Sequence, residues 1–522
     1  MNLYKDKVLK LKLRDESAKL VKQYIERSEI LSRNEDGINE VVIYWGLDEI
    51  TLLNQLINTN KNIPSPITKE YEWAGLYEPF DHQRVTSEFL SITKRGFCFN
   101  EAGTGKTSSA LWAADYLMNK GKVKRVLIIC PLSIMYSAWQ GDIFNTCMHR
   151  TSQVCHGTKE KRQLIINGEY EFIIINYDGV AIVRDDIKRA NFDLIIVDEA
   201  NAYKSTSTSR WKTLAKILTP RTRLWMMTGT PASQSPEDAY GLAKLVCPER
   251  VPKFKTAWRD KVMYQISRFR WLPRPTSKDE VFNALTPAIR FAKDECLDLP
   301  DVMYQTRDIK LTAQANKYYI QLKNQALIET AGEQISAVNA ASGMNKLLQI
   351  SGGAVYTDTK ETITFDIKPR LNALLEAVEE TSHKVLVFVP YRHTINIVSE
   401  FLSKNNIVNE LIHGDVSARE RANIISRFQT AENPRVLVIQ PQSASHGVTL
   451  TAANVVVFWS PVMSVEVYLQ CIARMDRVGQ KNKMTVVHLQ GSAVEKRMYA
   501  MLRGKVDQHT KLVDLYREVL EE

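Results

Sequence analysis

At 522 residues, with 44% hydrophobic and 25% charged residues, the chain has an ordinary globular composition and the length of roughly three domains of about 150 residues each. Lys plus Arg outnumber Asp plus Glu by 69 to 59, and the net charge of +10 leans toward polyanions, nucleic acid above all, although a merely basic enzyme would carry the same balance. No apolar run approaches the ~20 residues of a membrane span, Met1–Arg14 has no signal-peptide core, and the 7 scattered cysteines suit a reducing, cytoplasmic setting.

In chain order, residues 1–70 form an N-terminal accessory module. They are lysine-rich at the start, strand-like at Val41–Trp45, and end in Pro64-Ser65-Pro66. From 71 to 245, apolar runs of strand length alternate with helical text: Gly96–Phe99, Arg125–Cys130, Phe172–Asn176, Leu194–Val197 and Arg223–Thr228. Short, doubly apolar strands separated by helices imply a parallel sheet buried on both faces. Residues 246–345 break the rhythm and read as a helical insertion and linker. They include the basic, aromatic stretch Arg268–Pro275, in which Arg270 and Trp271 either contact nucleic acid or, with Phe269, pack the insertion's own core. A second alternating block, 346–505, has strands at Lys384–Val389, Val408–His413, Arg435–Ile439, Val455–Trp459 and Thr485–Leu489, and residues 506–522 read as a C-terminal helix. The fold class is α/β, with two tandem lobes. Cys147, His149, Cys155 and His156 fit no common structural zinc spacing and read as loop and core residues.

Asn100-Glu101-Ala102-Gly103-Thr104-Gly105-Lys106-Thr107 follows a strand and precedes an alanine-rich helix, the context a phosphate loop needs. Gly103, Thr104 and Gly105 present backbone N–H groups to phosphates, and the helix N-terminus adds partial positive charge. Lys106 reaches the β- and γ-phosphates, and the Thr107 hydroxyl suits Mg²⁺. Downstream, Leu194–Val197 is an apolar strand ending in Asp198 and Glu199. Asp198 is the second candidate Mg²⁺ ligand, and Glu199 the group that orients and deprotonates water. Met227-Thr228-Gly229-Thr230-Pro231 ends a further strand. Far along the chain, Arg474-Met475-Asp476-Arg477-Val478-Gly479-Gln480 reads as the other half of an ATP site, with Arg477 first and Arg474 second as the arginine finger. If both halves touch one nucleotide, the chain folds as two lobes closing on ATP.

As a set, these motifs resemble helicase superfamily two, and within it the Swi/Snf-type double-stranded DNA translocases, over residues 74–505. The resemblance implies two tandem RecA-like lobes. Asp81-His82-Gln83 looks like the adenine-reading motif, with Gln83 as reader. Ile129–Ser133 with Trp139, and Ile175-Asn176-Tyr177, are similar to DNA-contacting motifs, so Ser133 and Asn176 are expected on phosphates, as are Thr228, Ser443 and Thr449. Asp198-Glu199-Ala200-Asn201 stands where the family has Asp-Glu-Ala-His. Gln442–Ala453, including Ser445-His446, resembles the fifth motif, and Gln470, Arg474, Arg477, Gly479 and Gln480 the sixth, with Gln470 near the nucleotide and Ala473 in place of a common Asp. Arg290 and Leu299-Pro300 fit the linker between lobes, with Phe291 where a second Arg is common.

The resemblance implies an ATP- and Mg²⁺-dependent DNA motor, a compact phage or bacterial member, expected as a monomer in the cytoplasm near the nucleoid. Its expected partner is double-stranded or branched DNA, with replication or recombination proteins beside it. Two alternatives are a strand-separating DNA or RNA helicase and an ATP-switched clamp that does not translocate.

Overall fold

Apolar runs become the inner strands of two parallel sheets in the computed structural model, which describes residues 1–504 except 35, 58–62, 230, 233–234, 268–269, 297–299, 331–336, 357–361, 445–447 and 478. The chain divides into two compact units, residues 1–297 and 298–522.

In the first unit the sheet has seven strands, in the spatial order Ala288–Ile289, Arg95–Cys98, Arg223–Met227, Leu194–Val197, Val126–Cys130, Phe172–Asn176 and Ser152–Cys155. All are parallel. Period-two alternation sends neighbouring side chains to opposite faces. Val126, Ile128, Ile174, Leu194, Ile196 and Trp225 therefore join one core cluster, while Leu127, Ile129, Ile175, Ile195, Val197 and Met226 join another. Both faces are covered by helices, which explains the unbroken apolar text.

The N-terminal residues form a separate antiparallel sheet, ordered Asn2–Tyr4, Val8–Arg14, Ile38–Tyr44, Ser28–Arg33. Leu9, Leu11, Val41 and Ile43 pack its inner face on the helices Asp15–Tyr24 and Leu47–Leu56, through Val21, Ile50 and Leu53. The same cluster continues into the helix Lys106–Asn119, so this module is built onto the first lobe.

The second unit has a six-stranded sheet ordered Val302–Asp308, Met484–Gln490, Ala453–Phe458, Lys384–Phe388, Val436–Ile439, Asn409–Ile412, again all parallel. Alternate residues again divide, with Leu386, Leu437 and Val456 on one side and Val387, Val438 and Val457 on the other. A fully buried ion pair, Arg370 Nη2 to Glu495 Oε2 at 2.7 Å, ties the helix Lys368–Glu379 to the helix Ala493–Leu502.

The stretch expected as a helical insertion, 246–345, carries the helices Lys255–Val262, Ser277–Ala284 and Ala313–Thr330 and also contributes strands. Its Met263–Ser267 and Arg270–Pro273 strands form a hairpin, Ala288–Ile289 closes the edge of the first sheet, and Val302–Asp308 closes the edge of the second. Trp271 lies against the first unit's core with the Arg259 guanidinium 5.3 Å from its ring centroid, which favours packing over stacking on a base. Arg268, Phe269, Thr230, Leu299, Ser445, His446, Gly447, Val478 and residues 506–522 lie outside the described residues.

Candidate nucleotide site and nucleic-acid interface

The carboxyl ends of adjacent parallel strands gather the chemistry of the first lobe, the usual position for a ligand site in such sheets. The strands ending at Cys98, Met227 and Val197 are consecutive neighbours, so the phosphate loop, Thr228 and the Asp198-Glu199 pair leave the sheet side by side. Thr228 N donates to Cys98 O at 3.0 Å, and Asp198 N to Ile129 O at 2.9 Å. The buried Cys98 thiol senses both sides of the site. Burial pushes it up to about 11, with Lys106 pulling it down and Asp198 pushing it up.

Gly103 and Gly105 have φ of 90° and 80°, the left-handed region that glycine enters without strain. At Gly105 a Cβ would also stand 2.1 Å from Gln83 Nε2, so a side chain there would displace the Gln83 amide from the loop as well as strain the backbone. The helix Lys106–Asn119 starts immediately after, with its free N–H groups toward the loop. Lys106 Nζ donates to Asn100 O at 2.8 Å and Glu101 O at 3.0 Å, which keeps the ammonium folded over the loop.

Gln83 is buried beside this loop. Its Oε1 accepts from Phe80 N at 3.0 Å and its Nε2 donates to Thr104 O at 3.1 Å, while His82 Nε2 lies 2.8 Å from the same carbonyl. Gln83 thus braces the phosphate loop with its amide donor. Phe80, whose N–H it binds, is half-exposed, apolar surface that the sequence pattern did not single out.

The Asp198-Glu199 pair is held from two further elements. Trp139 Nε1 donates to Asp198 Oδ2 at 3.0 Å, and Tyr177 OH donates to Asp198 O at 2.7 Å. Glu199 sits at φ 47°, a left-handed conformation uncommon for a non-glycine residue, and its N–H donates to Asp198 Oδ1 at 2.9 Å. Trp139 lies in a π-helical turn, Met135–Gln140, a rare geometry that concentrates at functional sites. Trp139 and Tyr177 were expected only as parts of DNA-contacting motifs. Their grip on the acidic pair is a long-range contact that no local pattern announces.

Oxygen donors from the Thr107 hydroxyl and the Asp198 carboxylate are the hard ligands that Mg²⁺ prefers. The cysteines of the rejected zinc pattern go to opposite faces of the sheet, Cys147 to one core cluster and Cys155 to the other, and His149 Nε2 pairs with Asp115 Oδ1 at 3.0 Å.

Among the expected phosphate contacts, Ser133 and Asn176 are partly exposed at the ends of adjacent strands. Asn176 Oδ1 accepts from Arg162 at 3.3 Å. Thr228 is fully buried and Ser443 is 8% exposed, so both hydroxyls are far less open than Ser133 or Asn176. Gly229 stands close to the phosphate loop, where a Cβ would be 3.4 Å from Ala102 N.

In the second unit the two finger candidates separate. Arg474 is buried, with Nε donating to Gln470 O at 2.7 Å and Nη1 to Val448 O at 3.3 Å. Arg477 is more open. Its Nη1 donates to Val448 O at 3.2 Å and to the exposed Thr449 Oγ1 at 2.9 Å. Gln470 is buried, with its Nε2 3.4 Å from Glu466 Oε1. Gln480 pins the segment to the sheet, donating to Ala453 O at 2.7 Å.

The residues that leave the first sheet are laced to the phosphate loop. Phe291 N donates to Asn100 Oδ1 at 3.0 Å, Glu101 N to Phe291 O at 3.1 Å, and Lys293 N to Glu101 Oε2 at 3.1 Å. Phe291, in the place of an expected arginine, meets His82 edge-on at 5.9 Å. Arg290 Nη2 lies 3.8 Å from Glu101 Oε1.

Two helix-flanked parallel sheets, one carrying a phosphate loop and an acidic pair, mark a phosphate-loop protein of the helicase type with RecA-like lobes. Residues 8–352 match the SNF2-related domain and residues 369–479 the helicase conserved C-terminal domain; the chain belongs to the SNF2-related family. It is 26% identical over 424 residues to putative protein p41 of Acyrthosiphon pisum secondary endosymbiont phage 1, covering 76% of this chain and 88% of that one. It is 23% identical over 436 residues to the SWI/SNF-related matrix-associated actin-dependent regulator of chromatin subfamily A-like protein 1 of Xenopus tropicalis, covering 82% of this chain and 44% of that protein. The chain thus spans less than half the length of this chromatin-regulator relative. Among solved structures, the Sulfolobus solfataricus SWI2/SNF2 ATPase core in complex with dsDNA aligns over 86% of this chain and 97% of its own, at 18% identity and a TM-score of 0.41. No described helix is long and apolar enough to cross a membrane.

Proposed function

We propose that this protein is an ATP-driven motor that moves on double-stranded or branched DNA, acting in replication, repair or recombination in the cytoplasm of a bacterial or phage-infected cell. The observation that carries the reading is the placement of Lys106, Thr107, Asp198 and Glu199 at the ends of neighbouring strands, with Trp139 and Tyr177 linking the acidic pair to the elements that carry Ser133 and Asn176.

In this reading Lys106 exchanges its hold on the loop carbonyls for the β- and γ-phosphates of ATP. Thr107 and Asp198 would hold Mg²⁺, which supplies neutralising charge to the phosphates. Glu199 orients a water and takes its proton, and Arg477 stabilises charge on the transferred phosphoryl group, an effect worth ~10³–10⁵ in rate in related enzymes. Arg474 keeps the segment folded behind it. Ser133, Asn176 and Thr449 contact backbone phosphates, so binding is salt-sensitive and largely independent of sequence.

The deciding experiment measures ATPase stimulation by blunt duplex, forks, four-way junctions, single strands and RNA, followed by triplex displacement on duplex DNA. Duplex-stimulated turnover with displacement is the expected result. Strong turnover without displacement would overturn translocation. Stimulation confined to single strands or RNA would favour strand separation.

A further inference from the structure

We propose that the uncovered face of the N-terminal antiparallel sheet is a binding platform for single-stranded nucleic acid. The inner face of this sheet is closed by two helices, whereas its outer face mixes the aliphatic Val8, Ile38 and Val42 with aromatic and charged residues. The strand register sets Tyr4 opposite Val8, and Val8 opposite Tyr44, so two tyrosines stand in one row across three strands. They are 62% and 43% exposed, unusual for aromatic rings with no packing role.

Further along the central strand, Lys10, Lys12 and Arg14 follow at every second position, about 6.8 Å apart. Each tyrosine also has a cation over its ring: Lys5 Nζ is 5.5 Å from the Tyr4 centroid, and the Arg27 guanidinium 4.5 Å from that of Tyr44. Acidic groups on the face are Glu29 and Glu40, with Glu40 spent on Lys10 at 2.8 Å and Arg27 held by Glu49 at 2.7 Å. Among the described residues, no ion pair engages Lys5, Lys12 or Arg14.

Aromatic rings interleaved with cations on an open sheet suit a strand whose bases are free to stack and whose phosphates need neutralising. Duplex DNA keeps its bases stacked inside and offers the tyrosines nothing. A protein partner would favour an interface centre depleted of lysine, yet Lys10 and Lys12 occupy the middle of this face. The module is fixed to the first lobe by the shared core, by Lys122 to Asp48 at 2.7 Å and by Asn54 Nδ2 to Ile92 O at 3.3 Å. A strand bound there is held at a set place relative to the phosphate loop.

The test uses the full chain without nucleotide and reads fluorescence anisotropy of labelled oligothymidylate, oligouridylate and a blunt duplex. Tyr4→Ala with Tyr44→Ala should weaken binding of single strands roughly tenfold or more while leaving the blunt duplex within about twofold. Tyr4→Phe with Tyr44→Phe should retain wild-type binding, since stacking needs only the ring. Lys12→Ala with Arg14→Ala should lower the salt slope for single strands by about 1.4, at ~0.7 per phosphate contact. Equal losses on single strand and duplex would overturn the proposal, as would no loss on either, the result a protein-docking face gives. Unchanged circular dichroism and thermal midpoint show that the variants remain folded.

Discussion

The two units share a parallel sheet buried on both faces, yet they hold their functional residues in different ways. In the first, Lys106 and Gln83 brace the loop while Trp139 and Tyr177 hold Asp198, so that half is assembled from its own side chains. In the second, Arg474 and Arg477 share the carbonyl of Val448, one buried and one open. Pre-organisation in the first unit favours capture of the nucleotide. On the proposed reading, Arg477 would have to give up Val448 O and Thr449 Oγ1 before acting, which would make the second unit the natural place for a switch.

The sharpest way to break this contrast is to remove one cation from each unit. Lys106→Ala should lose both nucleotide binding and turnover, whereas Arg477→Ala should keep binding of a fluorescent nucleotide and lose ~10³-fold or more in phosphate release. Equal loss of binding in both would erase the distinction. Next in size, Trp139→Phe removes the indole donor to Asp198 and keeps most of the ring. Outer contacts to a metal ligand are worth ~10–100-fold, so the Mg²⁺ concentration for half-maximal activity should rise about tenfold. An unchanged Mg²⁺ profile would make Trp139 a packing residue only.

Arg474→Met should act on stability instead. It strips a buried donor set from Gln470 O and Val448 O, and should lower unfolding free energy by ~1–3 kcal/mol by chemical denaturation, where Arg477→Ala should change it little.

The smallest effect concerns pH. Burial raises the Glu88 carboxyl to about 7 from its ordinary value. Its folded form therefore holds a proton that the unfolded chain releases, and stability falls as pH rises from about 4.5 to 7. Glu88→Gln should flatten that slope and add roughly 1 kcal/mol at pH 8, read from denaturation midpoints across pH.

Much of this fold is legible in the sequence because buried parallel strands leave unbroken apolar runs. Phe172–Asn176 and Leu194–Val197 match their expected bounds, and the other inner strands shift at their ends by a residue or two. Two edge strands were hidden for the opposite reason, although the edge strand Asn409–Ile412 was expected at Val408–His413. Val302–Asp308 reads as polar text because most of it is exposed, and Ala288–Ile289 has two residues. Lys106, Asp198 and Glu199 were visible from motif and context. The burial of Arg474 beside the more open Arg477 was not, since it depends on how the segment packs on Gln470 O and Val448 O. The burial of Thr228 and Ser443 likewise depends on what covers them, and no local pattern records it.

The lacing of residues 290–293 onto Asn100 and Glu101 has a mechanical meaning. The polypeptide leaves the first sheet from the phosphate loop itself, with three hydrogen bonds spanning the junction. Any movement of that loop by the length of one such bond tugs the departing backbone directly. The slack must be taken up within a few residues or handed down the chain, as on a short leash tied at the phosphates.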